Sequence, residues 1–529
     1  MPAVKSNLIG RNTEDIVHGK GHALNKETNM NHLFSQHSRR AVPLPGREKL
    51  VTALVCATLL WTTWALGGVY LWAQFGSLLL GGASLVAAIW PQRERGWANL
   101  RSLRRFPPFW LGLFVMLYMF VQYLNPSWVF EPNAEGRLVA HSRDFVAWLP
   151  NGIKTPFGMM GPVLMTMVLA PGWMLMCAVW AALGRPKAMR IILWCLTLNA
   201  SLFATIGITQ SITHARKMLW FFDGPLGDSV FWGTIANPNH SSAFMNMGLT
   251  ASLLLLLHYT GPHSRSKDLS KGGSFLMLIP LSVIILGGVV QAMSRAGFIV
   301  AAIIVLAAAL MFVARFVRAM LDSGNRSTAL AVCGVLFAGA AISGVAVSGS
   351  VDMERLSREL RSLGTLAESP MDDTRVTLNK ASTDLFMQKP VLGWGGGCYR
   401  YFINLTQRNY PQLNALRGKR NIVFAHNDYL NYLCELGLVG AVPLGLCVFG
   451  LPASILLFRR RGIDSAVLVG MSGIGAVLLH VSVEFLMQHP LVIMQFSLLL
   501  VCTCRMANQK HHATLHVERE LAKAQKRIA

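Results

Sequence analysis

The sequence predicts an all-α polytopic membrane protein, with about 12 transmembrane helices and one long outer loop that forms a small helical lobe. Three observations carry this reading. Of 529 residues, 53% are hydrophobic and only 14% charged, against about 25% charged residues in a typical soluble chain. The apolar residues fall in blocks of about 17–25, the length that crosses a bilayer core. The basic residues gather in alternate connections between those blocks, the asymmetry that orients helices with their positive loops toward the cytoplasm.

The spans are expected, in order, at 51–72, 74–90, 109–125, 161–182, 190–209, 241–259, 275–292, 297–314, 328–348, 432–457, 464–484 and 490–504. The chain therefore divides into a basic cytoplasmic tail (1–50), nine spans (51–348), the long outer loop (349–431), three spans (432–504) and a second basic cytoplasmic tail (505–529). The first 50 residues are polar and basic, so no cleavable leader is expected there. The tails, together with "PQRERGWANLRSLRRFPP", "GRPKAMR", "GPHSRSKDLSKGG", "RFVRAMLDSGNRS" and "RRRG", hold 31 of the 48 Lys and Arg. The net charge of +23 is thus a topology signal. No RNP-type or zinc-finger pattern accompanies it, so nucleic acid is not an expected partner. Most of the nine cysteines lie in apolar blocks, which argues against a disulfide framework.

The remaining connections face out: Asn125–Gly161, Gln210–His240, a short turn around Ser294, and Gly349–Asn431. A connection of that last length carries a function or a small lobe of its own. The polar residues that stand out fall on this one side. Arg295, in "QAMSRAGFIV", sits in a turn between two apolar blocks. Arginine at a membrane boundary is costly and marks a functional site, or else it is a snorkelling anchor. In "DDTRVTLNKASTDLFMQKPVLGWGGGCYRYF", residues 374–387 read as a helix that Pro390 stops. Arg375 begins that helix and either serves a site or pairs with Asp372 or Asp373. The glycines 393–397 make a turn of close backbone approach, which either packs against a neighbour or cradles phosphate.

In "FAHNDYLNYLCELGLVG", His426 stands at a helix start. Histidine exchanges protons near neutral pH, and Asn427 and Asp428 are expected to orient it or to cap the helix. Tyr429 follows at the same edge. A zinc site of His426, Asp428 and His240 lacks ligand spacing, and a serine protease lacks a nucleophile elbow. "GTIANPNHSSAF", with Asn239, closes the second outer loop. His480 and Glu484 are four apart in the eleventh span and share one helix face. They read as a buried polar pair near the outer surface, or as part of an ion path.

In their order along residues 202–490, "NPNHSSAFMNM", "MSRAG", the Arg375-to-"PVLGWGGGCYRYF" stretch, "AHNDYLNYLCELGLVG" and "HVSVEFLMQHP" resemble the O-antigen ligase and polymerase superfamily. The resemblance implies a bacterial inner-membrane glycosyltransferase of the GT-C type. Such an enzyme takes a glycan from undecaprenyl diphosphate at the periplasmic face. It passes it to a hydroxyl of lipid A-core, a growing glycan, or a protein. It further implies that Arg295 and Arg375 bind the diphosphate, that His426 acts near the acceptor hydroxyl, and that no cofactor or metal is needed. Asn379 departs from the aromatic residue the family often carries four positions after the loop arginine. Two readings of other classes compete, a polysaccharide flippase or transporter and a noncatalytic scaffold for envelope assembly. A transporter would be expected to show inverted repeats and broken helices at the midplane.

Overall fold

The structure is a computed structural model that describes residues 43–92, 96–223, 231–260, 274–323, 374–414, 421–458 and 463–528. The expected span at 328–348, residues 349–373 of the long loop and most of the N-terminal tail lie outside the described residues. The chain divides into Met1–Pro45 and one compact unit, Gly46–Ala529.

Thirteen helices of seven residues or more carry the described fold: α1 (Gly46–Trp64), α2 (Leu71–Ile89), α3 (Ala98–Arg104), α4 (Pro107–Leu124), α5 (Pro162–Ala182), α6 (Pro186–Ile212), α7 (Pro238–Tyr259), α8 (Leu278–Gln291), α9 (Arg295–Ser323), α10 (Thr374–Gln388), α11 (Asp428–Phe458), α12 (Ser465–His480) and α13 (Pro490–Ile528). Eight of them are long and apolar enough to cross a membrane, and two shorter apolar helices coincide with further expected spans. The protein is a multi-pass membrane protein. Prolines start α4, α5, α6 and α7, where their fixed φ suits the first turn and no amide hydrogen is wanted. Helices α7 and α13 are central, with 94% and 89% of their apolar windows buried. Small residues let the axes close up: a Cβ on Gly248 would lie 2.2 Å from Ala200 Cβ, and one on Gly473 2.2 Å from Thr250.

Contacts sort the connections into the same two groups as the charge pattern. On one side Arg505 and Gln509 bond the carbonyls of Leu183 and Gly184 (3.2 and 2.8 Å), and Arg315 pairs with Asp464 at 2.7 Å. On the other, Gly67 meets His489, Gly395 meets Gly152, and Asn239 meets Glu484.

Four features differ from the sequence reading. The loop after α4 folds into a three-stranded sheet, an addition to the helical class. β1 (Pro126–Pro132) pairs antiparallel with β2 (Leu138–Ser142) and parallel with β3 (Gly152–Lys154). The hairpin turns at Asn133–Gly136, where Asn133 Oδ1 accepts from the Glu135 and Arg137 amides (3.0 and 2.8 Å). Second, α13 runs on through the expected tail to Ile528. Third, the eleventh span stops as a helix at His480. Residues 481–485 form turns and Leu486–Gln488 a single 3-10 turn, whose Met487 amide donates to Asp428 Oδ2 (2.6 Å).

Fourth, α11 is broken at Gly437 (φ 60°, ψ −173°). The break is made good by residues 390–395. The Trp394 and Gly395 amides donate to the carbonyls of Cys434 and Glu435 (2.8 Å each), while the Leu438 and Val439 amides donate to Pro390 and Val391 (2.8 and 3.1 Å). Irregular backbone at membrane depth survives only where protein re-satisfies it. Helix α10, matching the expected 374–387 helix, is followed by three single-turn helices, Tyr399–Phe402, Asn404–Gln407 and Pro411–Asn414. They pack around Leu378, Leu385, Tyr399, Phe402, Ile403 and Leu413. The glycine run is a packing turn: Gly393 abuts Gly437, and a Cβ on Gly395 would lie 2.6 Å from Gly152 Cα.

Candidate functional site

Glu484 is the centre of the polar cluster. Its side chain is 1% exposed, and it hangs from the non-helical segment between α12 and α13. Oε1 accepts from Asn239 Nδ2 at 2.6 Å and from the Arg375 guanidinium. Oε2 lies 3.2 Å from His426 Nδ1. A buried carboxylate needs such partners to offset its lost hydration. Four segments far apart in sequence thus meet on one side chain.

Each partner is held by its own element. Asn239 lies in the first turn of α7, which Asn237 caps by accepting from the Asn239 amide (2.8 Å). Arg375 opens α10 and remains 45% exposed while reaching over the buried carboxylate. The expected partners Asp372 and Asp373 lie outside the described residues. His426 precedes α11 with φ +50°, a left-handed conformation that histidine tolerates better than most residues. The turn is pinned because Asn431 Oδ1 accepts from the Ala425 amide at 3.2 Å. The His426 ring stands edge-on to Phe485 at 4.8 Å, and Phe485 in turn stacks on Phe424 at 4.6 Å. The Arg400 guanidinium covers the Phe424 ring at 5.1 Å, where burial lowers its pKa from the ordinary value.

The His426 bond defines a tautomer. An ionised carboxylate only accepts, so the hydrogen facing Glu484 belongs to Nδ1, and in the neutral ring Nε2 keeps its lone pair. The ring is 37% exposed. A carboxylate behind one imidazole nitrogen and an open lone pair on the other is the arrangement of an oriented general base.

Of the two expected roles for the neighbours, orienting His426 or capping the helix, Asn427 takes the second and Asp428 does not take the first. Asp428 does not orient His426: its carboxylate turns away to the Met487 amide and Gln488 Nε2 (2.6 and 3.4 Å), while its own amide donates to Val481 O (3.0 Å). It fixes the segment that carries Glu484. Asn427 caps α11, accepting from the Leu430 amide at 3.3 Å. Tyr429 ties α11 to α12 through its hydroxyl and Leu478 O (2.8 Å). His480 and Glu484 do not share a helix face, because the helix ends between them. Both His480 ring nitrogens lack hydrogen-bond partners among the described residues.

Arg295 stands at the first position of α9, partly buried. Its turn is fixed against α7: Asn246 Nδ2 donates to Gly297 O at 2.9 Å, and a Cβ on Gly297 would lie 2.5 Å from Ser242 Oγ. Ser242 in turn donates to Asn239 O at 3.0 Å. Arg295 is therefore carried by a turn packed beside the helix start that holds Glu484. The sequence did not signal the role of Phe485, or that of Glu435, a buried side chain at the α11 break whose Oε1 accepts from the Tyr399 amide at 3.3 Å.

Residues 280–445 match the family model described as O-Antigen ligase, which supports the resemblance to the O-antigen ligase and polymerase superfamily. No curated protein sequence matches the chain. The matched segment includes Arg295, Arg375 and His426; Asn239, His480 and Glu484 lie outside it.

Proposed function

We propose, from the O-antigen ligase domain that residues 280–445 carry, that this chain is a membrane glycosyltransferase moving a glycan from undecaprenyl diphosphate to an acceptor hydroxyl. The reaction takes place at the periplasmic face of a bacterial inner membrane, with both termini in the cytoplasm. The observation that carries the reading is the meeting of Arg375 and His426 on one buried carboxylate. It sets a phosphate-binding type of side chain beside an oriented base.

The chemistry follows from the residues. The acceptor oxygen attacks the anomeric carbon as the bond from that carbon to the diphosphate oxygen breaks. The electron pair leaves with the diphosphate, whose growing charge Arg295 and Arg375 stabilise. The hydroxyl proton passes to His426 Nε2. One displacement inverts the anomeric configuration. The donor is already activated, and guanidinium groups supply the charge that a metal would otherwise provide. The acceptor is a lipid-borne glycan, a polysaccharide end or a protein hydroxyl.

The test is the purified protein in detergent with a lipid-diphosphate-linked glycan and a panel of the three acceptor types. Transfer to one of them with release of undecaprenyl diphosphate is the expected result. Absence of transfer to all three, with donor bound, would overturn the assignment.

A further inference from the structure

Glu484 serves two partners that the reaction uses at different moments. Arg375 reaches it from the solvent side, 45% exposed, and His426 at 37%, while the carboxylate itself is 1% exposed. Asn239 donates to the same oxygen, Oε1, that receives Arg375, so Oε1 already accepts two bonds. Oε2 faces only His426 among the described residues. A guanidinium bound to a carboxylate has much of its charge neutralised, and a diphosphate of greater charge competes for it. Asn239 is neutral and stays when Arg375 leaves.

We propose that Glu484 is a positioning residue that couples donor binding to base activation: the donor diphosphate draws Arg375 off Glu484 Oε1, and the unneutralised carboxylate then holds His426 Nδ1–H more strongly. The proposal rests on the reading of the chain as a lipid-diphosphate glycosyltransferase. Glu484 touches no reacting atom. The acceptor hydroxyl is activated fully only when a donor is in place, and the donor must displace an internal carboxylate in order to bind.

A purely structural glutamate would behave differently. Glu484→Gln keeps the shape of the side chain and removes the competing charge. It should bind donor more tightly and turn over more slowly. The probe is an undecaprenyl diphosphate without glycan, titrated in detergent against wild type, Glu484→Gln, Arg375→Ala and the double variant. Coupling between contacting residues predicts a gain in affinity of about threefold or more for Glu484→Gln, and a gain that vanishes in the Arg375→Ala background. The rate constant for transfer at saturating donor should fall about 10- to 100-fold in Glu484→Gln, and Glu484→Asp should restore affinity toward wild type and part of the rate. Thermal melting of each variant separates these effects from misfolding.

Donor affinity in Glu484→Gln equal to or weaker than wild type, in a protein that melts normally, overturns the proposal. So does a gain that persists undiminished without Arg375, since through-space repulsion alone would explain it. Those results leave the glycosyltransferase reading standing. Failure of wild type to bind the lipid diphosphate at all overturns both.

Discussion

Replacing Gly437 with alanine tests whether residues 390–395 are held to α11 by the break in that helix. The backbone there has φ 60° and ψ −173°, a conformation essentially restricted to glycine, and a side chain in it costs about 1–3 kcal/mol. The added Cβ would also lie 2.3 Å from Val391 O and 2.6 Å from Gly393 N, so the backbones must part. Parting loosens the hydrogen bonds from Trp394, Gly395, Leu438 and Val439, each contributing about 0.5–1.5 kcal/mol. Summed over the four bonds, the two effects come to roughly 3–9 kcal/mol. That raises the open fraction of the junction by about 150-fold or more. Hydrogen exchange of these amides should accelerate by a similar factor in the purified variant. Transfer should fall with it, because α10 with Arg375 and the turn with His426 both hang from this junction. Gly445→Ala is the control, since a Cβ there would meet no atom within 4 Å; it should exchange like wild type. Unchanged exchange in Gly437→Ala would refute the account of the junction.

Arg295→Lys and Arg375→Lys should each lose about 30- to 1000-fold in transfer rate, nearly as much as the alanine variants, because lysine lacks the planar fork; near-normal transfer by both would rule out diphosphate clamping. Asn239→Asp should be more damaging than Asn239→Ala, since it sets a second carboxylate where an amide now donates to Glu484 at 2.6 Å; a rate difference of about tenfold at equal protein level is the expected scale for a like-charge contact in a buried site. A cysteine at the exposed position Asn409 should react with a membrane-impermeant thiol reagent in intact spheroplasts, and one at exposed Lys187 should not. The reverse pattern would invert the topology.

The parts of the fold legible in the sequence are those set by local chemistry. Apolar blocks and loop charges gave most helices, Pro390 and the preceding pattern gave α10, and the tight turn gave Arg295 its place at a helix start. His426 before α11 was legible for the same reason. What stayed hidden depends on contacts between distant segments. "CELGLVG" reads as uninterrupted helix, because glycine is common in membrane helices; only the arrival of residues 390–395 makes Gly437 a break. Glu484 was placed four residues along a helix from His480, but the α-helix ends at His480, and Asp428, nearly sixty residues away in sequence, takes the Met487 amide of the segment that follows. The carboxylate that organises the site is therefore the residue whose neighbours the sequence could least reveal. The hairpin at 126–142 did carry a signal, the Asn133–Gly136 turn between two short β-prone runs, masked by reading that stretch as a simple connection.

The measurement that bears most directly on the central claim is transfer and donor binding by purified His426→Ala. The histidine lies at the edge of the bundle, on a turn that Asn431 and Asn427 hold without its ring, so the variant should insert and accumulate normally. Transfer should fall by about 100-fold or more, the scale of losing a general base. Binding of lipid-diphosphate donor should stay within a few-fold of wild type, since Arg295 and Arg375 remain. Near-normal turnover, or loss of donor binding in place of turnover, would contradict the account and return His426 to the structure or to the diphosphate site.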